Sequence, residues 1–268
     1  MSQEGTCQQE MPQQRVPQAL AQHDASDRLA VSIVVPVKNE SGNVAPLVAE
    51  IAAALAGRSF EVVYVNGSTD ATEQELRALM EDRSWLRQIR HERSCGQSAA
   101  IHTGFAMARG ELVATLDGDG QNDPAFIPAL NAAFESGGPG VGLVAGQRIG
   151  RKATWFKKAQ SRIANAVRSR VLKDGTRDTG CGLKAFRRDL FLALPYFDGL
   201  HRFLPALIRR EGFEVRYVEV VDRQRRHGTS NYGFWDRLWI GMVDLFGVWW
   251  LIRRKKRIPQ SVEVTLAR

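Results

Sequence analysis

The chain is poor in cysteine: among its 268 residues only Cys7, Cys95 and Cys181 are present, far apart. That spacing excludes a disulfide framework and a CxxC metal clip, and it fits a reducing compartment. The sequence does not open with a basic segment and a short apolar core, so no secretory signal is expected. There is no internal repeat, and the turn cluster Gly137-Gly138-Pro139-Gly140 lacks the spacing of a phosphate-binding glycine loop. A long hydrophobic run is missing as well. Residues 238–252 form the longest, about 15 residues where a membrane span needs about 20, and Asp244 interrupts it. No Ser-His-Asp or Cys-His arrangement supplies an activated nucleophile.

What is present is an ordinary globular composition, 44% hydrophobic and 25% charged, enough for a sizeable core. The net charge is +8, and the basic residues cluster at 148–158, 162–170, 223–226 and 253–257. A polyanionic partner is implied: a phosphorylated substrate, an anionic membrane surface or nucleic acid. The basic runs lack the interleaved stacking aromatics of single-strand binders, so nucleic acid is not expected.

Residues 1–28 are rich in Gln, Ser and Pro and read as a disordered tail. From residue 31, apolar β-branched runs alternate with segments of helical period. Strands are expected at 31–37, 60–65, 86–91, 112–116 and 141–146, with helices at 44–55, 73–80, 98–108 and 124–134. This alternation predicts an α/β fold with a mainly parallel sheet over residues 29–222. Ligands of such sheets sit beyond the carboxyl ends of the strands. Later, 155–172 reads as a basic helix, 191–207 as mixed and apolar, and 214–221 as a strand. Residues 223–268 read as a membrane-proximal amphipathic helix followed by a basic tail. On a helical period Arg237, Gly241, Asp244 and Gly247 share one stripe, the rest being apolar with three tryptophans. That pattern describes a helix lying in a membrane interface, with residues 253–257 meeting anionic lipid. A helix buried against the domain is the alternative.

Two stretches carry chemistry. In LDGDGQNDP (116–124), Asp117, Asp119 and Gln121 alternate just past a buried strand, so they point the same way. Such hard oxygen ligands suit Mg²⁺ or Mn²⁺ carrying phosphate oxygens, although an Asp/Gly-rich turn has the same composition. SIVVPVKNE (32–40) ends a strand at Pro36 and places Lys38, Asn39 and Glu40 at the same sheet edge. FEVVYVNGSTD (60–70) ends the second expected strand in a polar loop, with Asn66-Gly67 reading as a turn pair. His102 and His201 read as structural, and Cys181 as packing.

SIVVPVKNE, GSTD (67–70), CGQSAAIHTGF (95–105) and LDGDGQNDP occur in the order and spacing of family 2 glycosyltransferases with the GT-A fold. RDTGCGLKAFRRDLF (177–191) and RRHGTSNYG (225–233) resemble the branch of dolichol-phosphate mannose synthase and bacterial polyprenyl-phosphate glycosyltransferases. The resemblance spans roughly 31–250 and implies a GT-A, Rossmann-like sheet flanked by helices. It implies inverting, metal-dependent transfer of a sugar from a nucleotide diphosphate to a polyprenyl phosphate at the cytoplasmic membrane face. Pro36, Asn39, Glu40, Asn66, Gly67, Ser68, Gln97 and Asp117 would bind the nucleotide sugar. Asp119, Gln121 and Asp117 would hold Mg²⁺ or Mn²⁺. Asp117, Asp119 and Asp178 would serve catalysis, with Asp178 orienting an arginine, facing the sugar or capping its own loop. Arg148, Arg162 and Ser230, the last in the Gly228-Thr229-Ser230 turn, would lie near the acceptor phosphate. Many relatives carry transmembrane helices after the catalytic domain, and this chain ends at Arg268 without any. Membrane contact is therefore expected to be peripheral, or through a membrane-protein partner. A non-lipid acceptor, or a non-catalytic family member, is the alternative.

The family's usual loop reads Val-(Asp or Asn)-Asp-Gly-Ser, whereas Val65-Asn66-Gly67-Ser68 is one residue shorter. Gly120 replaces a commonly larger apolar residue, and Asn231 a common Lys. The missing residue corresponds to the carboxylate that the resemblance assigns to the nucleotide base. A charged hydrogen bond contributes about 1.5–3 kcal/mol, so its loss should weaken donor binding about ten- to a hundredfold. Inserting Asp between Asn66 and Gly67 should therefore raise nucleotide affinity by calorimetry, and an unchanged affinity refutes this reading of the loop.

Overall fold

The computed structural model describes residues 29–149, 166, 168–176, 178–223 and 234–254. The expected tail at 1–28, most of the basic helix at 155–172, Arg162, the 228–230 turn and Asn231 lie outside these residues.

Seven strands form one sheet in the order β3-β2-β1-β4-β6-β5-β7. β1 (Val31–Val37), β2 (Phe60–Asn66), β3 (Leu86–Arg90) and β4 (Leu112–Thr115) are mutually parallel, Val31 facing Phe60 and Val34 facing Thr115. β5 (Val141–Ile149) runs parallel to β7 (Glu214–Val221), and β6 (Lys184–Arg187) lies antiparallel between β4 and β5. The β-branched runs of β1 and β2 are buried on both faces, as a helix-covered sheet requires. Val31, Ile33, Val35 and Val37 enter one core layer, while Val34 enters the other.

The first layer is closed by α1 (Val44–Ala54), α2 (Thr72–Met80) and α4 (Ile127–Glu135). α1 buries Val44, Leu47, Val48 and Ile51, a single helical stripe. Pro124–Phe126 form a 3-10 turn before α4, so the expected helix there begins later than its proline. The second layer is closed by α3 (Gln97–Met107), α5 (Arg188–Leu192), α6 (Leu204–Arg210) and part of α7 (Phe234–Arg253).

β6 was not foreseen, because Lys-Ala-Phe-Arg is too short to show a period. It matters for the site. Running opposite to β4, it brings residues 179–182 back over the carboxyl end of β4, where Thr115 Oγ1 donates to Gly182 O at 2.6 Å. At the other sheet edge the buried Glu61 accepts from Ser32 Oγ (2.7 Å), Arg109 N (2.6 Å) and Arg87 Nη1 (2.5 Å). That network closes the amino ends of the strands, away from the expected ligand crevice.

Among the described residues no helix is long and apolar enough to cross a membrane. α7 packs Leu245, Val248, Trp249 and Ile252 on the second core layer, and Arg210 Nε donates to Leu251 O at 3.1 Å. Met242, Val243, Phe246 and Trp250 remain exposed. The expected polar stripe is not a solvent face throughout: Asp244 turns inward against Gly199, where burial pushes its carboxyl up.

Candidate active site

The sheet order reverses at β1, which pairs with β2 on one side and β4 on the other. A crevice opens at such a switch point, beyond the carboxyl ends. The loops that follow β1, β2 and β4 all carry expected site residues.

The β1 and β2 loops are laced together. Asn39 adopts a left-handed backbone (φ 59°), which asparagine tolerates. Its N–H donates to Ser68 Oγ (2.8 Å), and its Oδ1 accepts from Thr69 N (2.9 Å). Glu40 N donates to Thr72 Oγ1 (3.0 Å), and Glu40 Oε2 accepts from Asn43 Nδ2 (2.8 Å). Asp70 accepts from Ser41 N, Thr72 N and Thr72 Oγ1; burial alone would raise its pKa, but these bonds hold it below the ordinary value. Asn66 and Gly67 do not form the expected left-handed turn. β2 continues through Asn66, neither residue has positive φ, and Asn66 Oδ1 accepts from Ser68 N at 2.8 Å. The Asn66 side chain thus folds its own loop.

The β4 loop holds the acids. Asp117 N donates to Asn122 Oδ1 (3.1 Å), and Asp117 Oδ1 accepts from Gln97 Nε2 (2.8 Å) at the start of α3. Gly182 approaches the Asp117 carboxylate so closely that no Cβ fits there. Asp119 is buried, and its Oδ1 accepts from Gln121 N at 3.1 Å. Gly120 between them has φ 72°, a backbone conformation that favours glycine. Burial first, then the neighbouring Asp119, pushes the Asp117 carboxyl up to about 6, while Lys184 and Arg148 oppose that rise.

Among the described residues no three His, Cys, Asp or Glu side chains gather to hold a metal ion. Two carboxylates and the Gln121 amide are nonetheless hard oxygen donors, and a bound cation would offset the Asp119 repulsion that adds to the effect of burial on Asp117. The donor set fits Mg²⁺ or Mn²⁺ completed by phosphate oxygens.

A cavity of about 350 Å³ adjoins Asp117. Pro36, Gln97, Gly182, Lys184, His201 and Arg202 are in its wall. Asn39, Glu40, Asn66, Gly67 and Ser68 lie at the adjoining strand ends, outside that wall. Arg148 has partners other than the expected phosphate. Its Nε and Nη2 form a fork with Asp178 (2.5 and 2.8 Å), and its Nη1 reaches Asp222 (3.0 Å). An acceptor phosphate would have to displace a carboxylate there. Asp178 orients this arginine and also caps its own loop, accepting from Gly180 N at 3.0 Å. Arg162 and Ser230 fall outside the described residues. His102 packs against Tyr196, with ring centroids 4.9 Å apart, and Cys181 is a buried thiol whose pKa burial raises.

Sequence reasoning missed Lys184, Asn122 and Asp222. Lys184 is buried, its Nζ donates to Cys181 O, and burial lowers its pKa. Asn122 was visible within the acidic motif. Asp222 gave no local signal, because the β-bridge to Asn122 joins residues 100 apart.

This architecture is shared with known glycosyltransferases. The crystal structure of glucosyl-3-phosphoglycerate synthase from Mycobacterium tuberculosis, in complex with Mn²⁺, UDP and glucosyl-3-phosphoglycerate, superposes with a TM-score of 0.63 at 20% identity, covering 85% of this chain and 80% of that one. The fold is therefore GT-A-like, as expected. Residues 32–194 match the model of glycosyl transferase family 2, and the chain belongs to that family. It is 35% identical over 242 residues to dodecaprenyl-phosphate galacturonate synthase of Rhizobium johnstonii, covering 88% of this chain and 71% of that protein. It is 34% identical over 207 residues to undecaprenyl-phosphate 4-deoxy-4-formamido-L-arabinose transferase of Edwardsiella ictaluri, covering 76% and 63% respectively. The chain thus spans between three-fifths and three-quarters of these relatives' length.

The raised Asp117 pKa has a signed consequence. Its neutral form stabilises the fold fully below the ordinary value of 3.8, and that contribution is lost as pH rises through about 6. Ionising Asp117 in the folded chain thus costs stability at neutral pH, through burial first and the neighbouring Asp119 second. Asp117→Asn should therefore raise the melting temperature in EDTA at pH 8 and much less at pH 4.5. An equal shift at the two pH values would contradict the assignment.

Proposed function

We propose that this chain transfers a sugar from a nucleoside diphosphate to the phosphate of a polyprenyl lipid, with inversion at the anomeric carbon. The observation that carries this reading is the pair Asp117 and Asp119 at the sheet's switch point, in a chain whose relatives are named for polyprenyl-phosphate products. Asp117, Asp119 and Gln121 would hold Mg²⁺ or Mn²⁺. When bound, the ion neutralises the charge that develops on the leaving diphosphate.

The chain's own residues do the positioning. Gln97 fixes the Asp117 carboxylate, Asn122 fixes its backbone, and Gly182 leaves room for it. The laced loops at 36–40 and 66–70 form the nucleotide rim. A phosphate acceptor is already anionic at neutral pH, so no general base is required of the protein. Its oxygen bonds to the anomeric carbon as the bond to the diphosphate breaks, and the electron pair leaves with the diphosphate. Arg162 and Ser230 remain the residues proposed for the acceptor phosphate. Asp178 acts through Arg148, holding residues 178–182 in place.

A transfer assay tests this. Radiolabelled nucleotide sugars are supplied with Mn²⁺, with and without polyprenyl phosphate. Label should enter the lipid only when metal and lipid are both present, and Asp119→Ala should lower the rate at least a thousandfold with an unchanged melting curve. Transfer to a soluble hydroxyl acceptor would establish the non-lipid alternative. Absence of donor binding under every condition would establish a non-catalytic protein.

The outer face of α7 supports peripheral attachment at the cytoplasmic membrane face. Phe246 is 66% exposed and Val243 57%. Arg253 stacks on Trp249 at 4.3 Å and Arg254 on Trp250 at 4.9 Å, placing cations beside rings that favour the headgroup level. Phe246→Glu should reduce cosedimentation with phosphatidylglycerol vesicles at least fivefold at unchanged melting temperature. Equal sedimentation would exclude this face as the contact.

A further inference from the structure

We propose that Lys184, His201 and Arg202 form a specificity site for an anionic sugar, the donor carrying a hexuronate. The inference rests on the donor reading above and extends it to the class of sugar. With the diphosphate placed at Asp117 and Asp119, the attached sugar falls in the rest of the cavity, whose wall includes these three side chains.

Each of the three presents hydrogen-bond donors. Lys184 Nζ uses one hydrogen on Cys181 O and keeps two. Arg202 carries only donors. His201 is fixed as a donor by its neighbour. Ser98 Oγ accepts from Gly199 N (3.1 Å) and lies 2.7 Å from His201 Nδ1. Ser98 is buried, and among the described residues its hydroxyl has no other acceptor, so its hydrogen goes to Nδ1. The ring hydrogen is then on Nε2. A second proton is disfavoured by burial first, then by Lys184 and Arg202, which push the imidazole down to about 3.

Three donor groups close together match a group that only accepts, as a carboxylate does with up to four lone-pair sites. A neutral sugar hydroxyl has only two lone pairs to accept with, and these three groups offer no acceptor for its own hydrogen. Asp117 and Asp178 offset the Lys184 charge in part, and Arg148 adds to it. The charges that act on His201 are both positive. An acceptor phosphate has the same acceptor-only character, so the test excludes it by omitting the lipid.

Calorimetry on the full chain with Mn²⁺ and no lipid compares UDP-glucuronate with UDP-glucose, and GDP-mannuronate with GDP-mannose. The uronate of at least one pair should bind at least tenfold more tightly than its neutral partner. Lys184→Met and His201→Ala should each reduce that ratio below threefold, and His201→Gln, which keeps an N–H donor, should restore part of it. Ser98→Ala, which frees Nδ1 to take the hydrogen, should lower the ratio without touching the sugar. A wild-type ratio near one in both pairs overturns the inference while leaving the transferase reading intact. A ratio insensitive to the Lys184 and His201 variants, which instead raise the KM for polyprenyl phosphate, also overturns it, since the wall then serves the acceptor. Failure of every nucleotide sugar to bind overturns the donor reading itself, and this inference with it.

Discussion

The approach of Gly182 to the Asp117 carboxylate fixes the rest of the site. It exists because β6 runs antiparallel to β4, so the segment before β6 returns across the carboxyl end of the strand that delivers Asp117. A parallel strand in that place would have put its amino end, and its preceding loop, at the opposite edge of the sheet. The reversal therefore does two things at once. It closes one side of the crevice with backbone instead of side chain, and it sets Lys184 opposite Thr115, two residues from the acid it partly neutralises.

Around that contact the charges are arranged as a connected set. Arg148 from β5 binds Asp178, which precedes Gly182, and Asp222, which follows β7 and pairs with Asn122 beside Asp117. Three sheet elements are thus tied to one loop by groups that are mostly shielded from water. Buried pairs of this kind add little net stability, because desolvation offsets their attraction. What they contribute here is position: the 178–182 segment that packs beside Asp117 cannot shift without breaking a fork of charged bonds. Ionised Asp117 is itself held at a cost to folding, by burial and by the neighbouring Asp119.

The sequence made the parallel half of the fold legible, because β1, β2 and α1 carry long, regular apolar periods that survive in the structure. The place of the Asp117–Gln121 stretch, in a loop just beyond β4, was legible too, because it is local. β6 was not, since four residues show no period and its partners lie far along the chain. The Asn66-Gly67 turn was misjudged because dipeptide preference was overridden by sheet pairing, which extends β2 through Asn66 opposite Val37 and Arg90. Arg148 was expected to await a phosphate. No property of the sequence shows that two carboxylates, 30 and 74 residues away, already hold it. Local patterns report local structure, and the charge partners of this site are set by topology.

The same topology bears on how a lipid would reach the cavity. α7 lies with Leu245, Val248 and Trp249 on the second core layer and Asp244 against Gly199, the residue before the turn that carries His201 and Arg202. A helix is about 10 Å across. A bilayer resting on Phe246 and Trp250 would therefore lie about one helix diameter from the turn that lines the cavity. In the proposed reaction, a lipid phosphate at that surface would have only a short distance to cross to reach the cavity. The inward turn of Asp244 gives that arrangement its register. Its carboxyl faces the domain, whereas Met242, Val243, Phe246 and Trp250 lie on the exposed side of the same helix. An interfacial helix with Asp244 on its outer face would bury a charge in the bilayer, so the direction of this one side chain decides which face of α7 can meet lipid.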